Sequence, residues 1–229
     1  MPDMLSPLIR FLLPSENQSL ITRPLTIGLG ALGFIGLGYR VNAYLSTRAL
    51  NDATATLPWE SEREIVVVTG GSSGIGAAIV ELLAQWDIKP LILDVTEPRE
   101  ELMIIIDDDG IEHIFFYQID LANPEAIISV AGKVRSEHGD PTILINNAGI
   151  EFNKPILGLS ESQIRRTFDV NILAHFLLAQ GFLPAMVPRN HGHVVSVASL
   201  ASFTTSAINV NYACTRSAAL AFIRKWVKS

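Results

Sequence analysis

The sequence contains a single cysteine, Cys214, among 229 residues. That scarcity excludes an intramolecular disulfide and a cysteine-rich zinc site, and Cys214 reads as a small buried helix residue. Histidine is also sparse, and His113, His138, His175, His191 and His193 show no H-E-x-x-H or comparable ligand spacing. His191 and His193 flank Gly192 ahead of an apolar run and read as a turn. The acidic run "IDDDG" (106–110) reads as a solvated turn. Basic residues are outnumbered, 17 Lys and Arg against 23 Asp and Glu, and form no stripe, so nucleic acid is not an expected partner. Charged residues make up only 17% and hydrophobic ones 48%, which speaks against disorder and for a well-filled core.

Charge is missing altogether between Arg23 and Arg40, where the chain reads "PLTIGLGALGFIGLGY". As a helix this run is roughly 24 Å long, short of a ~30 Å hydrocarbon core. Continuing to Leu45, with Arg40 snorkelling, gives about 22 residues, enough to span. Its glycines weaken an isolated helix in water and are tolerated in membranes. Length and lack of charge favour a membrane anchor over about residues 24–45; the competing reading is a buried, glycine-rich helix packed on the domain. Basic residues flank both ends and leave the orientation open. The earlier "SPLIRFLLP" suits an interface, kept short by Pro7 and Pro14. A secretory signal fits poorly, because a long polar lead precedes the apolar run. Residues 1–60 are read as an N-terminal extension, 46–63 as a polar connector and 61–229 as the main domain.

From Glu64 onward short β runs alternate with longer helical stretches. Strands are expected at 65–70, 90–94, 113–120, 142–149 and 192–199, and helices at 77–86, 124–139, about 160–186 and 211–228. Such alternation means an α/β fold, a doubly wound parallel sheet of the Rossmann type that binds ligands at the carboxyl ends of its strands. "TGGSSGIG" (69–76) follows the first strand and opens a helix. Gly70 allows the tight turn, Gly74 lets the backbone approach a phosphate and Gly76 permits close packing. The helix N-terminus beyond Ser72, Ser73 and Ile75 offers unpaired N–H groups to a pyrophosphate. No Gly-Lys-Ser/Thr ends the segment, so a P-loop is excluded. Asp94 ends the second strand, where a carboxylate accepts from both ribose hydroxyls and repels a 2′-phosphate; this favours NAD, with NADP as the alternative.

"TGGSSGIG", "NNAG" (146–149), Asn171, Ser199 and Tyr212 together resemble, in order and spacing, the short-chain dehydrogenase/reductase family. Residues 168–199 and the apolar N-terminal segment are most similar to its membrane-associated retinol and hydroxysteroid dehydrogenase branch. The resemblance implies that Tyr212 is the general acid/base and that Ser199 holds the substrate oxygen. Asn171 kinks the long helix and positions a water; Asn147, Ala148 and Gly149 border the cofactor. Asp120 meets the adenine, with Leu121 beside it. It further implies interconversion of a lipophilic alcohol, such as a retinoid, steroid or long-chain alcohol, with its carbonyl. Endoplasmic reticulum or lipid droplet, a cytosolic catalytic domain and a homodimer through helices 160–187 and 211–228 follow from the same likeness.

Two departures from the family pattern stand out. Arg216 occupies the place of the lysine that sets the charge beside the tyrosine, binds the nicotinamide ribose and joins a proton relay. Arginine keeps the charge, but its planar fork is differently directed and it releases no proton, so binding with reduced turnover is expected. The family also continues beyond the catalytic helix, whereas Trp226 to Ser229 close this chain. The C-terminal strands are therefore expected to be lacking, with an apolar strand edge left open. The alternative is a catalytically impaired, cofactor-binding protein acting through protein partners.

Overall fold

The computed structural model describes residues 18–50, 59–103 and 114–224. The chain divides into two compact units, Met1–Thr56 and Leu57–Ser229. The first contains one long helix, α1 (Gln18–Leu50), whose residues from Gly30 to Ser46 are all exposed. The expected apolar run 24–45 thus lies within one helix, and residues 46–50, expected in the connector, continue it. Its exposed side chains include Leu32, Phe34, Ile35, Leu37, Tyr39, Tyr44 and Leu45.

In the second unit the elements run β1 (Ile65–Thr69), α2 (Gly74–Gln85), β2 (Lys89–Asp94), α3 (Glu100–Met103), β3 (Phe115–Gln118), α4 (Pro124–His138) and β4 (Ile143–Asn146). After β4 come α5 (Glu161–Phe168), a π-helical turn (Asp169–Leu173), α6 (Ala174–Arg189), β5 (His193–Ser196) and α7 (Val210–Arg224). All five strands are parallel in the order β3-β2-β1-β4-β5. The order reverses between β1 and β4, which opens a crevice at their carboxyl ends, the usual ligand position of such a sheet.

Alternation along the strands divides the core. Val67, Leu91, Leu93 and Leu144 face one side, where α4, α6 and α7 contribute Ile127, Val134, Leu178, Phe182 and Phe222. Val66, Val68, Ile92 and Ile145 face the other, under Ala77, Val80 and Ala84 of α2 and Leu102 of α3. A sheet covered on both faces explains why "IVVV" is apolar without interruption. The helix ends carry their expected caps: Asn123 accepts from Ala126 N (3.1 Å) with Pro124 in the first turn, and Gly139, at φ +91, closes α4. Ser160 and Gln163 form a reciprocal capping box on α5.

Several expectations need correction. The third, fourth and fifth strands are shorter than expected, 115–118, 143–146 and 193–196. The long helix is interrupted by the π turn at Asn171, where the resemblance implied a kink. Cys214 is exposed rather than buried, although helical as expected. Residues 161–189 are long and apolar enough to cross a membrane by length and composition, but Val170, Leu178, Phe182 and Met186 are buried in the domain core. "SPLIRFLLP", "IDDDG", His113 and residues 225–229 lie outside the described residues.

Candidate active site

The glycine turn is fixed from β4. Thr69 Oγ1 accepts the N–H groups of Asn147 (3.0 Å) and Ala148 (3.1 Å) and donates to Ile145 O (3.3 Å). The Asn147 amide donates to the carbonyls of Thr69 and Gly70, each at 3.0 Å. Asn147 is therefore a brace that joins the two strand ends on either side of the crevice. Gly76 leaves no room for a side chain, since a Cβ there would overlap the Gly70 carbonyl. Gly74, at φ +55, has open space above it, so the backbone at the head of α2 is bare where an anion would approach. Ser73 caps α2 without a side-chain bond, and Ile75 is exposed beside it.

Asp94 leaves the end of β2 and accepts from Ser72 N (3.1 Å) and Thr96 N (3.2 Å). Its carboxylate thus tethers the glycine turn to β2. The Ser72 side chain is buried. Asp120, beyond β3, accepts from Ala122 N (3.0 Å) and from Arg166 of α5 (3.1 and 3.3 Å). The Ala122 N–H and, secondarily, Arg166 hold its carboxyl below the usual range. That ion pair was not anticipated. Leu121 sends its side chain into the core, so only its backbone is left for a cofactor contact.

On the other side of the crevice, α5, the π turn and α7 are tied by two buried polar rungs. Asn171 Nδ2 donates to Thr215 Oγ1 and Asn211 Nδ2 to Thr167 Oγ1, both at 3.0 Å. Asn171 also pairs with the Ile150 backbone, accepting from N (2.8 Å) and donating to O (3.0 Å). The π turn places this amide between α7 and the loop after β4. Thr215 Oγ1 donates in turn to Tyr212 O at 2.7 Å, which fixes the backbone of the proposed acid/base. Thr167, Asn211 and Thr215 were missed in the sequence. Their signal was polar residues four apart on two helices, with buried Thr167 and Asn171 on one and Asn211 and Thr215 on the other.

Arg216 is buried, 6% exposed, with its guanidinium 4.9 Å from the Tyr212 ring centroid. Nη1 donates to Val197 O at 3.0 Å, and the fork presses on Gly149, where a Cβ would collide with it. The structure thus brings together Asn171, Tyr212, Arg216 and Gly149. Ser199 Oγ accepts from Ala201 N at 3.1 Å as the cap of a short 3₁₀ turn. No hydrogen bond among the described residues joins Ser199 to Tyr212.

A strand-end glycine turn at the switch point, a braced asparagine and a helix carrying tyrosine with a cation four residues on define a dinucleotide-dependent oxidoreductase architecture. The short chain dehydrogenase family profile matches residues 64–229, and the chain belongs to that family. It is 40% identical over 196 residues to dehydrogenase RED2 of Cochliobolus heterostrophus, covering 86% of this chain and 68% of that one. It is 38% identical over 166 residues to estradiol 17-beta-dehydrogenase 11 of Macaca fascicularis, covering 69% of this chain and 53% of that one; the resemblance to the hydroxysteroid branch is borne out. Among solved structures, 4-hydroxyisoleucine dehydrogenase complexed with NADH matches at a TM-score of 0.60 and 26% identity, covering 69% of this chain and 66% of that one. The chain therefore spans about half to two thirds of the length of these relatives.

Proposed function

We propose that the chain is a nicotinamide-dependent oxidoreductase that interconverts a lipophilic alcohol and its carbonyl, with NAD as the preferred coenzyme. The observation that carries this reading is the crevice itself: a bare, positive-φ glycine at the head of α2 on one side, and Tyr212 beside a buried guanidinium on the other. The glycine turn and Ile75 hold the pyrophosphate, Asp94 the adenosine ribose, and Asn147, Ala148 and Gly149 border the nicotinamide half. When bound, the nicotinamide ring supplies the two-electron hydride chemistry. Tyr212 gives or takes the proton at the substrate oxygen, Ser199 holds that oxygen, and Arg216 supplies positive charge beside the phenol. Asp120 reaches the adenine only by sharing its carboxylate with Arg166.

Apolar side chains at the carboxyl ends of the strands support a lipophilic substrate. Ile156 and Leu157 follow β4, while Leu200, Phe203 and Ile208 follow β5, all exposed. The steroid named for the 17-beta-dehydrogenase 11 relatives points the same way. The exposed apolar residues of α1 support a membrane anchor, at the endoplasmic reticulum or a lipid droplet, with the catalytic unit in the cytosol. A homodimer through α5, α6 and α7 completes this reading. A specific observation favours a second reading, a cofactor-binding protein with weak or no turnover: the Arg216 fork is committed to Val197 O and Gly149.

Titration with NADH followed by its fluorescence, together with turnover on a panel of long-chain, retinoid and steroid alcohols, separates the two. The proposed enzyme binds NADH and turns over at least one alcohol, and Arg216→Lys raises kcat. Binding without turnover in both chains would establish the second reading. Absence of NADH binding by the folded protein would reject both.

A further inference from the structure

Buried polar atoms without a hydrogen-bond partner occur on β4, β5, α6 and α7, among them both amide atoms of Asn146, Oγ of Ser196, both ring nitrogens of His175 and Nε of Arg216. Asn146 and Ser196 are register partners on β4 and β5, so their side chains share a face of the sheet. It is the face of Leu144, two residues before Asn146, which lies under α6 and α7. Arg216 reaches the same place, since its Nη1 bonds the carbonyl of Val197, one residue beyond Ser196. His175 is 2% exposed on α6, one helical turn past Asn171, and its ring meets Phe222 of α7 at 5.7 Å. The Asn171–Thr215 bond joins the same two helical layers one turn earlier.

The chemistry of these atoms is complementary. Arg216 Nε–H can only donate, a neutral imidazole offers one acceptor and one donor, and the asparagine amide and serine hydroxyl supply both kinds. Native interiors pair such groups with each other or with ordered water. Burial, and secondarily the Arg216 charge, push the His175 pKa down to about 4, so the ring stays neutral and keeps its acceptor. A lysine at position 216 would have no equivalent of the Nε–H to offer.

We infer that His175 is a positioning residue whose neutral ring accepts the Arg216 Nε–H through one ordered water, and with Asn146 and Ser196 closes a buried polar chain that holds the guanidinium over the Tyr212 ring. This rests on the reading of Tyr212 as the residue that moves the proton. His175 touches neither coenzyme nor substrate in this role; it acts through Arg216.

The test is nuclear magnetic resonance of the full chain with ¹⁵N-labelled arginine, the Arg216 signal being assigned by its loss in Arg216→Met. The Arg216 Nε–H is expected to exchange with solvent at least tenfold more slowly than exposed arginines. His175→Gln, which retains an acceptor, keeps that protection, and His175→Leu loses it tenfold. A role in packing alone would leave the signal unchanged in a folded His175→Leu chain, and that result overturns the inference. Should His175→Leu not fold, ¹⁵N-labelled histidine in the Arg216→Met chain gives the answer: the His175 acceptor nitrogen shifts on loss of its donor, and an unmoved resonance overturns the inference. NADH titration of the same samples tests the proposed function separately, because the exchange measurements need no bound coenzyme.

Discussion

The two sides of the crevice are built differently. On the glycine side the geometry belongs to the backbone: the carbonyls of Thr69 and Gly70 are held by Asn147, and Gly76 sits where nothing larger fits. On the tyrosine side it belongs to buried side chains, with Asn171, Thr215 and Arg216 each fixed by one to three polar contacts. A backbone site fails all at once when its space is filled. A side-chain site loses function in steps, as each partner is removed. The contrast predicts which substitutions abolish coenzyme binding and which change only turnover.

The largest effect belongs to the glycine side. In Gly76→Ala the added methyl meets the Gly70 carbonyl, which is backbone, and the Asn147 amide, which is held by two hydrogen bonds. Overpacking of that kind costs about 3 kcal/mol, read from urea unfolding, and NADH binding should fall below detection. Gly74→Ala is the control. Its methyl points into open space, so only the left-handed backbone at φ +55 resists it, at about 1–2 kcal/mol. If the two variants lost stability equally, the turn would be governed by backbone strain rather than by close packing.

That difference also explains what the sequence disclosed. The parallel sheet, the glycine turn and the place of Asp94 were legible because they follow from strand–helix alternation and from residues with special backbone freedom. Tyr212 and Arg216 were legible from the family resemblance, and their four-residue spacing put them on one face of a helix. The Arg166 partner of Asp120 was not, because 46 residues separate the two and either could be solvated. The Thr167–Asn211 and Asn171–Thr215 rungs escaped for a related reason: each helix shows its polar pair, but only the crossing reveals that the pairs face each other. The exposure of Cys214 was misread, since apolar neighbours on a helix do not say which of them faces inward.

Acid should weaken the tyrosine side next. The His175 pKa is held at about 4 in the folded chain, against about 6.5 for a free imidazole. Below pH 6.5 the unfolded chain takes up a proton that the folded chain refuses, so stability falls as pH drops and levels off near pH 4. The difference of 2.5 pH units corresponds to about 3 kcal/mol at most. Burial, and secondarily Lys89, lower the His138 pKa as well, adding a smaller loss of the same sign. Thermal unfolding between pH 7.5 and 4 in His175→Gln should show a markedly shallower slope than in the parent chain. An unchanged slope would place the acid sensitivity outside the helix layer behind Tyr212.

The smallest effect separates stability from function within the tyrosine side. Thr215→Val and Thr167→Val each remove one hydroxyl from equivalent rungs, leaving Asn171 or Asn211 with an unpaired buried N–H. Each should cost about 1–2 kcal/mol, and the Asn171–Thr215 double-mutant cycle should return a coupling of about 1 kcal/mol. The two variants part company at the active site. Thr215 Oγ1 also donates to the Tyr212 carbonyl at 2.7 Å, whereas Thr167 donates to Gln163 O on its own helix. Thr215→Val should therefore lower kcat several-fold with NADH affinity retained, while Thr167→Val matches it in stability and leaves kcat unchanged. Equal losses of kcat in both would mean that the rungs serve the helix layer as a whole, and that Tyr212 needs no hydroxyl beneath it.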